Sequence, residues 1–392
     1  MTARTQVTSM IGKAASTHPA GLRASRYDPG RRRARLAVMV GHVRGLFFLD
    51  YKDLAHASPA VTSLYAITGL GHQAVMVFFV LSGFLIGGAV LTALQRWTWI
   101  RYLVNRLCRL YLVLLPALLL TAVLDYIAYR QPGGRVLFDL PITHFNALPL
   151  AGHDSLAVFV GNALFLQTIL VPTFESNSPL WSLANEFWYY MLFPALMLTV
   201  YSPNNMKRRL MGFLMAALIL ALLPGGIIIG FLIWLMGVAI HASPALDARR
   251  GLRWGLKLVT MSIFFCTLML LRAQRIPADW SDIAVGGTFA LWLYCLVKIR
   301  TSRPAVPPLY EWWARLFSKC SYSLYAVHFP LVLLIRASLQ SPLWAPSFRN
   351  LALGGSMCVA VFIFGLVSSR LTEAHNDATR AALLRAVTRI AT

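Results

Sequence analysis

Long apolar runs dominate the chain, with only short polar stretches between them. Eleven runs are present, at about residues 34–51, 73–94, 107–128, 156–170, 181–200, 209–222, 226–241, 256–272, 283–299, 319–338 and 351–370. A helix needs roughly 20 apolar residues to cross a bilayer. The runs are continuous rather than alternating, which favours membrane helices over a membrane barrel. We therefore predict an all-α, polytopic membrane protein.

Clusters of Lys and Arg indicate how many of these runs cross the membrane, because such residues accumulate in cytoplasmic loops. With the N-terminus inside, a crossing by 156–170 would place the cluster Lys207, Arg208 and Arg209 outside. If 156–170 dips into the membrane or lies at its outer face, this cluster and the later ones stay inside. The charges therefore predict ten spans, with both termini cytoplasmic.

The same pattern divides the chain into three parts. We predict that residues 1–30 form a cytoplasmic tail without a secretory signal. The membrane domain covers 31–373. In the tail 374–392, Leu383, Val387 and Ile390 fall on one side of a helix and arginines elsewhere, which predicts an amphipathic surface helix. The expected setting is the inner (plasma) membrane, as a multi-pass protein.

Composition agrees with this assignment and excludes other classes of protein. Hydrophobic residues make up 58% of the chain and charged residues 13%, against about 25% charged in soluble proteins. The net charge of +22 would suggest a nucleic-acid partner in a soluble protein. Here the cytoplasmic loops account for it, so we expect no nucleic acid. The five cysteines stand singly, and the spacing of Cys and His predicts neither a disulfide framework nor a metal site.

Ionisable residues inside apolar runs are functional candidates, because burying them in a membrane is costly. His42 lies in the first run, and Arg31 precedes it by eleven residues, on nearly the same helix face. His328 lies about as deep in the run 319–338. Two histidines near mid-bilayer suit acid–base chemistry, a proton relay in a transporter, or a hydrogen-bonded core.

Two helical stripes add polar groups, and a basic segment lies near the third run. Ser182, Glu186 and Tyr189 form one stripe; Ser321, Tyr325 and His328 form the other. Arg101, Arg106 and Arg109 suit a polyphosphate, since guanidinium groups bind phosphate in a bidentate manner, although positive-inside anchoring explains them equally well. Ser82, next to Gly83, Gly87 and Gly88, is more typical of close helix packing.

These segments, taken in order, resemble the acyltransferase 3 family of membrane acyltransferases. Arg31 and His42 resemble its motif of Arg, ten residues and His. AVMVFFVLSGFLI and RYLVNRLCRLYLVLLP resemble its second and third spans. WSLANEFWYYMLFP and CSYSLYAVHFPL resemble its Glu-bearing and its later His-bearing motifs. Glu373 is followed by Ala-His where the family often has Arg-Pro, which weakens any role for Glu373 and leaves the core motifs untouched.

The resemblance implies transfer of an acyl group, with acetyl favoured, from acyl-CoA to a hydroxyl of a carbohydrate or glycoconjugate. It implies His42 as general base or acyl carrier, with Glu186 and His328 beside it. Arg31, Arg101, Arg106 and Arg109 would hold the phosphates of coenzyme A, and Ser182, Tyr325 and Ser82 would line the pocket. No metal is implied. A proton-coupled transporter or flippase and a non-catalytic scaffold remain as alternatives.

Overall fold

The computed structural model describes residues 36–94, 98–139, 152–202, 205–247, 249–299, 308–339 and 341–391. Within these ranges the chain is helical and has no β-strand. The helices are α1 Leu36–Phe47, α2 Pro59–Thr68, α3 Gly71–Ala93, α4 Trp99–Arg130, α5 Gly134–Asp139, α6 Leu156–Ala163, α7 Trp181–Tyr201, α8 Met206–Leu222, α9 Gly225–Ala242, α10 Arg250–Arg272, α11 Ala278–Lys298, α12 Pro308–Leu339, α13 Phe348–Leu371 and α14 Asn376–Ala391.

The predicted all-α membrane architecture is confirmed at the level of its helices. Seven segments of the described chain are long and apolar enough to cross a bilayer: α3, α4, α9, α11, Gly251–Arg272, Tyr322–Leu339 and Phe348–Val387. The shorter α1 is apolar as well. The count of ten spans and the cytoplasmic side of both termini stay predictions.

The run 156–170 does not form a long helix. Its helical part, α6, has eight residues and is therefore about 12 Å long, against about 30 Å for the bilayer core. Turns and an isolated bridge between Gln167 and Val171 follow it. This geometry agrees with leaving the run out of the predicted spans.

The structure divides into two compact units. As far as they are described, residues 72–94 and 188–314 form the first unit, and residues 36–71, 98–187 and 315–391 form the second. The core of the second unit joins α1, α12 and α13 through residues such as Met39, Phe47, Phe329 and Val361. All the helices that carry the histidines and the described arginine candidates belong to this unit.

Glycines determine how closely helices pack in the first unit. A Cβ at Gly83 would overlap the carbonyl group of Trp234, and one at Gly237 would overlap the carbonyl of Val80. Helices α3 and α9 therefore meet backbone to backbone, at the π-helical turn Gly83–Gly87. Gly87 and Gly88 likewise contact the side chains of Val238 and His241 on α9. The predicted packing role of these glycines is confirmed.

Candidate active site

His42 and His328 come together because α1 packs its apolar face on α12. Met39, Val43 and Leu46 recur every three or four residues and are buried in the core of the second unit. His42 lies on this same face, three residues after Met39 and four residues before Leu46. His328 is fully buried, and its neighbour Phe329 also meets the His42 ring, edge to face, with ring centres 4.9 Å apart.

A direct hydrogen bond joins the two imidazoles. Nδ1 of His42 lies 2.8 Å from Nε2 of His328. The ring centres are 5.0 Å apart and the planes differ by 5°. The distance between the ring centres is close to the largest that this nitrogen–nitrogen distance allows, which requires the two nitrogens to lie on the line between the centres. The two parallel rings therefore lie edge to edge in nearly one plane. The pair is thus a hydrogen bond within a common plane, with little face-to-face overlap.

The protein backbone determines which nitrogen carries each proton. Nδ1 of His328 lies 2.8 Å from the carbonyl oxygen of Tyr325, which can only accept, so this nitrogen carries the proton. In a neutral His328, Nε2 is then the acceptor, and Nδ1 of His42 must donate to it. The lone pair of a neutral His42 is therefore on Nε2, the nitrogen that can take up a proton or attack a carbonyl.

Tyr325 and Ser182 hold each other through their hydroxyl groups. The Tyr325 hydroxyl donates to the carbonyl of Pro179 at 2.9 Å and lies 2.6 Å from the Ser182 hydroxyl. The Ser182 hydroxyl therefore donates to the Tyr325 oxygen. Both predicted pocket residues are buried, and these bonds fix the helix turn whose carbonyl orients His328.

Asn177 stabilises the same turn from the preceding loop. Pro330 lies inside α12 and has no N–H, which leaves the carbonyl of Ala326, four residues earlier, without its helical donor. The Nδ2 group of Asn177 donates to this carbonyl at 2.9 Å and to the Thr121 hydroxyl at 2.8 Å. Asn177 is fully buried and replaces the missing helical bond.

Buried polar groups build this loop. The carboxylate of Asp125 on α4 accepts from the backbone N–H of Ser176 at 2.8 Å and from its hydroxyl at 2.9 Å. Gln167 donates to the carbonyl of Leu180 at 3.0 Å. Glu175 has a left-handed backbone with φ of 50°, which is uncommon outside glycine. These bonds hold the strained loop against α4 and α12.

The structure also places two further predicted residues, Glu186 and Ser82, and one arginine of α1. Glu186 lies one helical turn after Ser182 on α7 and is buried. Ser82 belongs to the first unit, where its hydroxyl lies 3.4 Å from that of Tyr190. Arg44, two residues after His42 on α1, has its guanidinium 5.0 Å from the centre of the Tyr65 ring.

A family model described as an acyltransferase domain matches residues 34–370. The chain belongs to this acyltransferase family. The predicted resemblance to the acyltransferase 3 family is thereby confirmed. Searches among curated proteins and among solved structures gave no significant match. The matched range contains the histidine pair, the loop around Asn177 and the segment that carries Ser182 and Glu186.

Arginines at the start of α4 are the described part of the predicted phosphate site of this acyltransferase. Arg101 and Arg109 are exposed and Arg106 is partly buried. Arg31 lies outside the described residues. Among the residues that the structure describes, no group of three or more His, Cys, Asp and Glu is arranged to hold a metal ion.

Glu373 makes a structural contact that the sequence did not predict. Its Oε1 accepts from the backbone N–H of Ser323 at 2.6 Å and from the Ser323 hydroxyl at 2.8 Å. The Thr372 hydroxyl lies 2.8 Å from the same serine hydroxyl. Glu373 therefore ties the end of the membrane domain to the helix that carries Tyr325 and His328. Spacing along the sequence gave no signal of this contact between distant segments.

Proposed function

We propose that this acyltransferase moves an acyl group, preferably acetyl, from acyl-CoA to a hydroxyl of a carbohydrate or glycoconjugate. The observation that carries the proposal is the hydrogen bond between His42 and His328, in which the neutral pair has its reactive lone pair on Nε2 of His42. An alcohol is a poor nucleophile until a base takes its proton. We expect this acyl transfer to take place at the inner (plasma) membrane.

Nε2 of His42 takes the proton of the acceptor hydroxyl as the hydroxyl oxygen bonds to the thioester carbon. The positive charge on His42 then strengthens its bond to Nε2 of His328, because a charged donor makes a stronger hydrogen bond. The tetrahedral adduct reforms its carbonyl and expels the thiolate of coenzyme A. His42 returns its proton to the thiolate, which gives the ester and free coenzyme A.

The same nitrogen supports a second route to the same products. Nε2 of His42 attacks the thioester first, which releases coenzyme A and leaves an acyl-histidine. The acceptor oxygen then bonds to the acyl carbon, the bond from that carbon to Nε2 of His42 breaks, and the freed Nε2 takes the hydroxyl proton. The two routes differ in a covalent intermediate, so the mass of the peptide that contains His42 after incubation with acyl-CoA alone separates them.

The remaining predicted residues bind and orient the reactants. Glu186 is proposed to orient His42 or the acceptor, while Ser182 and Tyr325 keep the His328 turn in place. Arg31, Arg101, Arg106 and Arg109 are proposed to hold the phosphates of coenzyme A, since guanidinium binds phosphate with two parallel hydrogen bonds. Ser82 stays a sequence-based pocket candidate.

The test is release of free thiol from acetyl-CoA by purified protein in liposomes. We expect thiol release that depends on the protein and rises when a carbohydrate or glycoconjugate acceptor is added, with the acetyl group recovered on that acceptor. A proton-coupled transporter would carry its substrate and release no thiol. Absence of thiol release with every acyl-CoA and acceptor tried, from protein that is folded, would contradict the proposal.

A further inference from the structure

Helix α14 packs against the helix that carries the predicted phosphate-binding arginines. It begins at Asn376, beyond the range matched by the acyltransferase family. Both this helix and the preceding turn Glu373–His375 contact α4. Thr372 and Glu373 anchor the start of this tail to Ser323 on α12. Ser323 is five residues before His328, which is about 7.5 Å along the helix axis.

One arginine of α14, Arg380, lies on the partly buried face of this helix, with 44% of its side chain exposed. Asn376, Arg380 and Leu384 are partly buried and recur every four residues, whereas Ala381, Ala382 and Arg385 are exposed. Residues four apart share a face of a helix, so Arg380 lies on the face that packs on α4. Arg385 belongs to the solvent-exposed side of the same helix.

Cys108 is a buried residue of α4, the helix that α14 contacts. Arg380 interacts electrostatically with the Cys108 thiol, in agreement with that packing. Arg109 directly follows Cys108, and Arg101 precedes Cys108 by two helical turns, on the same face. Two helices thus bring three arginines, Arg101, Arg109 and Arg380, to one side of the second unit.

The charge of this cluster favours an anionic ligand. Like charges held on neighbouring helices repel one another, and a bound anion offsets that repulsion. Arg380 has an ion pair with Asp377 at 3.4 Å, but the aspartate side chain is 85% exposed, and exposed pairs contribute little. The Asp377 pair therefore leaves Arg380 able to bind a phosphate group.

We propose that Arg380 of the C-terminal helix is a further phosphate-binding residue for the acyl donor and completes the site formed by Arg101 and Arg109 on α4. This inference rests on the proposed use of acyl-CoA. An anionic lipid headgroup presents the same phosphate chemistry, so the test must separate the two sources.

The test compares acetyl-CoA with S-acetyl-pantetheine, a thioester donor without phosphates, in liposomes of zwitterionic lipid. In the Arg380→Gln variant we expect the KM for acetyl-CoA to rise about tenfold, the lower end of what loss of one charge-assisted hydrogen bond costs. We expect kcat and the KM for S-acetyl-pantetheine to stay unchanged. Arg380→Lys should recover part of the loss, because the charge stays while the bidentate geometry is lost. The matched control is Arg385→Gln, on the exposed side, for which we expect parental values.

Each other outcome has a definite meaning. An unchanged KM for acetyl-CoA in Arg380→Gln, an equal rise for both donors, or an equal defect in Arg385→Gln would overturn the inference and leave the acyltransferase activity intact. A defect that appears only when anionic lipid is added, for both donors, would assign Arg380 to lipid headgroups and overturn it as well. If the parent uses S-acetyl-pantetheine but not acetyl-CoA, the proposed donor itself is wrong. If Arg380→Gln does not fold, Arg380→Lys decides by the same comparison.

Discussion

At the scale of single residues, the chemistry depends on which nitrogen of each histidine carries a proton. The Tyr325 carbonyl fixes the proton on His328, and the bond between the imidazoles transmits that choice to His42. The sequence predicted both histidines as functional candidates, because each lies deep in an apolar run. It could not predict their direct bond, because a helical pattern shows which face is apolar and not which helix it will meet.

Glu175 is a second residue whose behaviour follows from its surroundings. Burial, with Asp125 and Asp154 nearby, raises its pKa from 4.5 to about 7. Between these values the folded protein binds more protons than the unfolded chain, so stability is fully present below about pH 4.5 and is lost as pH rises through about 7. We predict that the melting temperature of the parent falls from pH 5 to pH 8 and that Glu175→Gln removes part of this fall.

Melting curves of the purified protein in detergent over this pH range check the prediction. The control is Asp53→Asn, since Asp53 is exposed in the turn Tyr51–Asp53 and the substitution should leave the pH profile as it is. A Glu175→Gln profile that coincides with the parent would show that Glu175 does not contribute to the dependence on pH.

At the scale of secondary-structure elements, α12 depends on a loop far away in sequence. Pro330 removes the N–H that would bond the carbonyl of Ala326, and Asn177 supplies the donor instead. The proline is visible in the sequence. The partner is not, because Asn177 reaches Ala326 only through the folded loop that Asp125 and Ser176 hold in place.

We predict that Asn177→Leu lowers the free energy of unfolding by about 1–3 kcal/mol, the range for leaving a buried polar group without a partner. Adding Pro330→Ala should restore part of that loss, since residue 330 then donates its own N–H to Ala326. A double-mutant cycle on melting or denaturant midpoints measures this coupling. Strictly additive effects of the two substitutions would contradict the assigned partnership.

At the scale of the whole molecule, the sequence predicted the helices better than the loops between them. Ten of the eleven runs contain a helix longer than α6, although α1 is itself short as described, while 156–170 forms the eight-residue α6 and a turn-rich loop. A sustained apolar run predicts a helix along its length. The loop conformation depends instead on buried amides such as Asn162, which bonds the carbonyls of Val158 and Pro172 and the N–H of Phe174, and no local pattern encodes those partners.

The charge pattern predicts that the loops near Lys207 and near Arg300 are both cytoplasmic. Single cysteines placed there, in a variant without the five native cysteines, should not react with a membrane-impermeant label in intact cells. With a cytoplasmic N-terminus and a first span at 34–51, Asp53 is expected to face outward, so a cysteine placed near it should react and serves as the positive control. Labelling of either basic loop from outside would rule out the ten-span arrangement.

The central claim is that His42, oriented by His328, transfers the acyl group. The most direct measurement is the turnover of acetyl-CoA and acceptor by reconstituted His42→Gln, at a matched melting temperature, beside His72→Gln. His72 is exposed and pairs with Asp282 at 2.8 Å, so His72→Gln should keep parental turnover. We predict that His42→Gln binds coenzyme A and is at least ~100-fold slower, the lower end of what a positioned base contributes. Near-parental turnover in His42→Gln would contradict both the general-base and the acyl-histidine routes.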